Sequence, residues 1–210
     1  MYIPIFSKTW NLPFKPIFQS KSDQQEVLTM SDFPIRSRTD YFVVHCSATR
    51  PINPITVDIL RQWHIARGFG DIGYHYFIDT SGNIHKGRVP DNSIGAGVKG
   101  HNDNTLHICL EGGLDNRSGF PNNTYTRAQF LSLNSLIHLL LKNYPHAETL
   151  GHRDLSPDSN HDGIIESTEF LKACPCFDAV TWARVNNLPY PKAISEHKQA
   201  PLYQVAKGIN

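Results

Sequence analysis

The chain has 210 residues, of which 40% are hydrophobic and 19% charged, with a formal net charge of +1. That balance suits a globular protein with one core and room for appendages, and it lacks the basic surplus of a nucleic-acid binder. No apolar run approaches the ~20 residues that a bilayer-spanning helix needs, so no stable membrane insertion is expected.

Residues 1–40 carry scattered aromatics (Phe6, Trp10, Phe14, Phe18), prolines and a polar patch. Neither a two-residue nor a 3.6-residue period holds across them, which marks an N-terminal extension. They also lack a continuous apolar stretch followed by a small-residue cleavage site, so no secretory signal is expected. A compact domain is expected over 41–188. It opens with Tyr-Phe-Val-Val-His-Cys, a β-branched and aromatic run typical of a buried strand. Thr56 is placed to cap a helix that runs to Ala66 and stops at Gly68. Residues 74–79 and 83–86 flank Thr-Ser-Gly as a hairpin. Residues 105–110 form another strand. Thr126-Arg-Ala-Gln129 is a capping box that opens a helix with Phe130, Leu133, Ile137, Leu140 and Leu141 on one face, closed by Pro145. Asp178 begins a short helix to about Asn186, and residues 189–210 form a tail. Strands alternate with helices, so the fold class is α/β, with a mixed central β-sheet flanked by helices.

Four cysteines, Cys46, Cys109, Cys174 and Cys176, are too few and too clustered for a disulfide scaffold. They suit core positions, metal ligation or nucleophilic chemistry. His45, His152 and Cys174 sit where metal ligands commonly sit, at strand ends and on adjoining loops. Zinc takes such nitrogen and sulfur donors in a tetrahedral array, with one position open when the site is catalytic. Taken singly, each also reads as a buried histidine, a loop histidine and a buried thiol.

The segments Val-His-Cys-Ser-Ala-Thr (44–49), Arg-Gln-Trp-His (61–64), Gly-Tyr-His-Tyr (73–76), Cys-Leu-Glu-Gly-Gly (109–113), Gly-His-Arg-Asp (151–154) and Lys-Ala-Cys-Pro-Cys-Phe-Asp (172–178) occur in that order. Together they resemble the N-acetylmuramoyl-L-alanine amidases, which include amidase-type phage lysozymes and the peptidoglycan recognition proteins. The resemblance spans roughly 41–188. It implies the amidase/recognition-protein fold as a single domain, zinc as cofactor, and His45, His152 and Cys174 as the zinc ligands. Tyr74 and Lys172 match the family's two other catalytic positions. It further implies a peptidoglycan substrate cut between N-acetylmuramic acid and L-alanine; a monomer is expected, and the near-neutral charge predicts no nucleic-acid partner. The setting it implies is a phage endolysin, made in the host cytoplasm and acting on the wall after release. A non-catalytic recognition module and a cytoplasmic muropeptide-recycling amidase are the alternatives. Cys46 and His75, next to His45 and Tyr74 on extended chain, should point the other way. Cys176, two residues past Cys174, is a rival ligand. Gly97 departs from the pattern, since relatives often carry a histidine there.

Residues 158–169 fit the calcium-loop pattern D-x-[DN]-x-[DN]-G-x5-E. Asp158, Asn160 and Asp162 would offer side-chain oxygens, Ile164 its carbonyl, Glu166 a water-mediated contact and Glu169 a bidentate carboxylate. Pro157 rules out an entering helix, so this is half of an EF-hand. An acidic surface loop is the alternative. The loop lies between His152 and Cys174, so calcium there would help order the zinc site.

Overall fold

The computed structural model describes residues 33–163 and 165–192. Over these residues the chain forms a five-stranded mixed sheet with three α-helices. In chain order the elements are β1 (Tyr41–Cys46), α1 (Val57–Ala66), β2 (Tyr76–Ile78), β3 (Ile84–Lys86), β4 (Thr105–Leu110), α2 (Arg127–Leu140), β5 (Glu148–Gly151) and α3 (Ala179–Val185). The strands lie in the order β3-β2-β4-β1-β5. β1 runs parallel to both β4 and β5, β4 is parallel to β2, and only β3 is antiparallel.

A central parallel strand is buried on both faces, which is why β1 and β4 read as continuous apolar runs. Alternation sorts their side chains. Phe42 and Val44 of β1, Leu106, Ile108 and Leu110 of β4, and Ile78 of β2 join the cluster built on α2, with Phe130, Leu133, Leu136 and Ile137. On the opposite face Val43 packs with Leu150 and Val180, while Phe77 and Cys109 pack under Leu60 of α1 and Ile72. His45 and His107 share this second face.

α1 and α2 begin where their capping residues predict. Thr56 accepts from the Ile59 N–H, and the Thr126–Gln129 pair makes a full capping box. Such a cap is typically worth ~1 kcal/mol. Gln129 does more: its amide nitrogen also donates to the carbonyls of Ile78 and Glu111, tying the start of α2 to the ends of β2 and β4. α2 ends at Leu140, several residues before Pro145, and the chain turns through Leu141, Lys142 and Asn143. Asp178 caps α3 by accepting from the Thr181 N–H. Before β1, Ile35 bridges to Ser93 and the buried Arg36 donates to the carbonyls of Ser93 and Asp91. Among the described residues no helix is long and apolar enough to cross a membrane.

Candidate metal centre

Strand register brings the two histidines together. In the parallel β1–β5 pair Val44 lies opposite Gly151, so His45 and His152 are the next residues of adjacent strands, at their carboxyl ends. Their rings stand edge to face with centroids 4.9 Å apart. His45 is fully buried, whereas His152 opens a 3-10 turn (His152–Leu155) and keeps some exposure.

Cys174 arrives on a separate loop, held by backbone groups beside each histidine. The Cys46 N–H donates to its sulfur at 3.2 Å, and the Arg153 N–H donates to its carbonyl at 2.8 Å. Tyr125 fixes the next turn by donating its hydroxyl to the Pro175 carbonyl at 2.7 Å. Gly151 makes the close approach possible, because a Cβ there would lie 2.5 Å from Pro175 Cδ. The outcome is a cluster in which the ligand atoms of His45, His152 and Cys174 all lie within 4.8 Å of one another. Among the described residues no second group of histidine, cysteine or carboxylate side chains converges in this way.

The electrostatics suit a cation. Burial, followed by the neighbouring His107 and His152, holds His45 well below the usual histidine range. Burial and the nearby Lys172 bring His152 down to about 4. Both rings are therefore neutral at pH 7 and carry a lone pair for a metal. Burial pushes the Cys174 thiol up, so a cation is needed to draw off its proton, while the Cys46 N–H already aims at the sulfur. Two imidazole nitrogens and one thiolate form a donor set suited to zinc and leave a fourth position for substrate or water.

Tyr74 lies just before β2 rather than in it. Its ring packs on His45 with centroids 4.8 Å apart and on His64 at 5.1 Å. His64, buried at the end of α1, accepts the Gly73 N–H at 2.9 Å and so fixes the backbone that carries Tyr74. Burial raises Tyr74 well above the usual tyrosine range, so it stays a hydrogen donor. Lys172 is exposed, and its charge is close enough to lower both His45 and His152.

Of the two neighbours expected to point the other way, His75 does so, whereas Cys46 keeps contact with the cysteine side of the centre. The Cys46 sulfur lies 3.9 Å from that of Cys176 and also interacts with the Cys174 thiol, so Cys46 borders the centre from the sulfur side. Cys176 contacts Cys46, whereas it is Cys174 Sγ that lies 3.8 Å from His45 Nδ1 and joins the converging group. His75 is fully buried beneath Arg36 and Ser93. His107, which the chain hides inside an apolar strand, proves to touch His45.

In the loop after His152, the candidate calcium side chains bond to the loop itself. Glu169 Oε1 accepts from Ser159 and Asn160, Glu169 Oε2 from Glu166, and Asp158 Oδ2 from Gly163. Asn160 donates to Asp162 at 2.9 Å. Ile164, the expected carbonyl ligand, lies outside the described residues.

This geometry coincides with a family match. Residues 36–164 fit the model of N-acetylmuramoyl-L-alanine amidase. The endolysin of Escherichia phage T7 is 38% identical over 156 residues, covering 74% of this chain and 93% of that relative. Among solved structures, the N-acetylmuramoyl-L-alanine amidase LysC from Clostridium intestinale URNW superposes with a TM-score of 0.55 at 25% identity, over 72% of this chain and 87% of that one. Drosophila PGRP-LB shares the fold, with a TM-score of 0.53 at 21% identity, over 80% of this chain and 89% of its own. The chain therefore belongs to the N-acetylmuramoyl-L-alanine amidase family of peptidoglycan hydrolases.

Proposed function

We propose that this amidase is a phage endolysin, in which His45, His152 and Cys174 hold zinc and Tyr74 and Lys172 assist hydrolysis of the bond between N-acetylmuramic acid and L-alanine. The observation that carries this reading is the convergence of two imidazoles and a thiol at the carboxyl ends of β1 and β5. Zinc bound there would supply Lewis acidity and bring the pKa of a water to ~7. The protein's own groups do the rest. Lys172 brings a positive charge to the side where the amide oxygen gains negative charge, and one such donor is worth ~3–4 kcal/mol in the transition state. Tyr74, protonated and held by His64 and His45, orients the attacking water or passes a proton to the departing amine. In this setting the enzyme accumulates in the host cytoplasm, reaches peptidoglycan on release, and acts as a monomer.

Zinc content and lysis by two cysteine variants test the assignment. Cys174→Ala is expected to lose both, and Cys176→Ala to keep both. Zinc retained by Cys174→Ala and lost by Cys176→Ala would reverse the ligand assignment.

The loop over 158–169 is proposed as a calcium site that stiffens the segment between His152 and Cys174. Its motif supports this, as does the shielded Asp158 Oδ1, which has no hydrogen-bond partner among the described residues. A cation would take up the oxygens that now bond to backbone N–H groups.

A further inference from the structure

His107 stands in the middle of β4, fully buried, on the same sheet face as His45. Its Nδ1 lies 3.1 Å from His45 Nε2. On the other side of the ring, Nε2 lies 3.1 Å from Asn102 Oδ1 and 3.0 Å from Thr105 Oγ1. These outer partners fix where the hydrogens sit. Asn102 Oδ1 accepts the backbone N–H groups of Gly97 and Val98, each at 2.9 Å, so the atom facing His107 is the carbonyl oxygen. Thr105 gives its only hydroxyl hydrogen to the His101 carbonyl at 2.6 Å and turns a lone pair toward the ring.

Two acceptors face His107 Nε2, so that nitrogen carries the hydrogen and Nδ1 of the neutral ring is bare. A bare Nδ1 accepts from His45 Nε2–H. His45 is then left with its lone pair on Nδ1, the atom 3.8 Å from Cys174 Sγ. Hydrogen positions pass in one direction, from the Gly97–Asn102 loop through His107 to the metal-facing nitrogen of His45.

We propose that His107 is a positioning residue: it sets the tautomer and ring plane of His45 so that Nδ1 is presented to zinc. This rests on the reading of His45 as a zinc ligand. Histidine ligands commonly donate their second N–H to a carboxylate or carbonyl. Here a second imidazole, itself anchored by Asn102 and Thr105, takes that place. Gly97 is part of the device, because a Cβ at 97 would lie 2.6 Å from His107 Nδ1 and displace the ring.

The test is zinc affinity of the full chain, measured by competition with a chromogenic chelator. Wild type is compared with His107→Leu, His107→Asn and Gly97→Ala, and melting of each metal-free variant reports folding. Loss of such a partner weakens metal binding about 10–100-fold. His107→Leu and Gly97→Ala are expected to show that loss. His107→Asn, whose Oδ1 takes the place of Nδ1, is expected to recover to within a few-fold of wild type. Equal affinity in wild type and a folded His107→Leu would overturn the proposal, as would equal loss in the Leu and Asn variants. Nitrogen-15 NMR of the wild-type rings needs no variant: it should show His107 and His45 both protonated at Nε2, and a hydrogen on His107 Nδ1 would overturn the proposal. A wild-type chain that binds no zinc would instead bring down the zinc reading itself, and the role of His107 with it.

Discussion

Acidification should unfold this domain in a way that one buried histidine makes measurable. His75 is fully buried, donates from Nε2 to the Ser93 carbonyl at 2.9 Å, and accepts the His107 N–H at Nδ1 at 3.0 Å. Burial, with the neighbouring Arg36 charge next, brings its pKa down to about 3. Among the described residues no carboxylate offsets this. An unfolded histidine titrates near 6.5, so the folded pKa lies below the unfolded one. The unfolded state takes up the proton first as pH falls. Stability from His75 is therefore complete above pH ~6.5 and is lost as pH falls toward about 3. Below pH ~6 the slope is ~1.4 kcal/mol per pH unit for one such group, and the loss between pH 7 and pH 5 is about 2 kcal/mol. Against a urea dependence of ~2 kcal/mol per molar, that moves the unfolding midpoint by about 1 M. The assay is urea unfolding of chelated protein from pH 7 to pH 4, for wild type and His75→Asn. The variant is less stable at pH 7, but its pH slope should be shallower by about one proton. Parallel slopes in the two proteins would refute the reasoning.

Further outcomes follow from the same geometry. Glu111 is buried and accepts the N–H groups of Ile55 and Thr80 on separate oxygens, at 2.6 and 2.8 Å. Glu111→Ala strands two backbone donors and should lower stability by ~2–5 kcal/mol in denaturant unfolding. Lys172→Ala is expected to lower kcat about 10²–10³-fold with zinc affinity unchanged within a few-fold. A large KM effect at constant kcat would assign it to substrate binding. Tyr74→Phe keeps the ring contacts on His45 and His64, so its melting temperature should hold while kcat falls about 10²-fold or more. An unchanged rate would remove Tyr74 from the chemistry. Millimolar calcium added to zinc-loaded, calcium-stripped protein should raise the melting temperature by several degrees, and Asp158→Ala should abolish the rise. No shift in the wild type would leave the 158–169 segment a plain acidic loop.

Much of the scaffold is legible in the chain because local signals and tertiary burial agree. The strand at 41–46, the strand at 105–110 and the helix starts at Thr56, Thr126 and Asp178 all combine an apolar pattern with a capping or turn residue. β5 is not legible: Glu148–Gly151 is four residues long, and only pairing with β1 and cover from α3 make it a strand. That omission matters, since the β1–β5 register is what sets His152 beside His45. The three candidate ligands come from family resemblance, because each alone is an ordinary histidine or cysteine; the fold supplies their convergence. His107 escapes for the opposite reason. In Thr-Leu-His-Ile-Cys-Leu it looks like a tolerated polar residue in a core strand, and only strand register shows that it faces the second nitrogen of His45.

The most direct test of the central claim is a digest of purified peptidoglycan by the full chain, first chelated and then restored with zinc. It is scored for new N-terminal alanine and for new reducing sugar ends. Alanine termini are expected to vanish with the chelator and return with zinc, without reducing ends. Reducing ends, or no cleavage after zinc is restored, would contradict that claim.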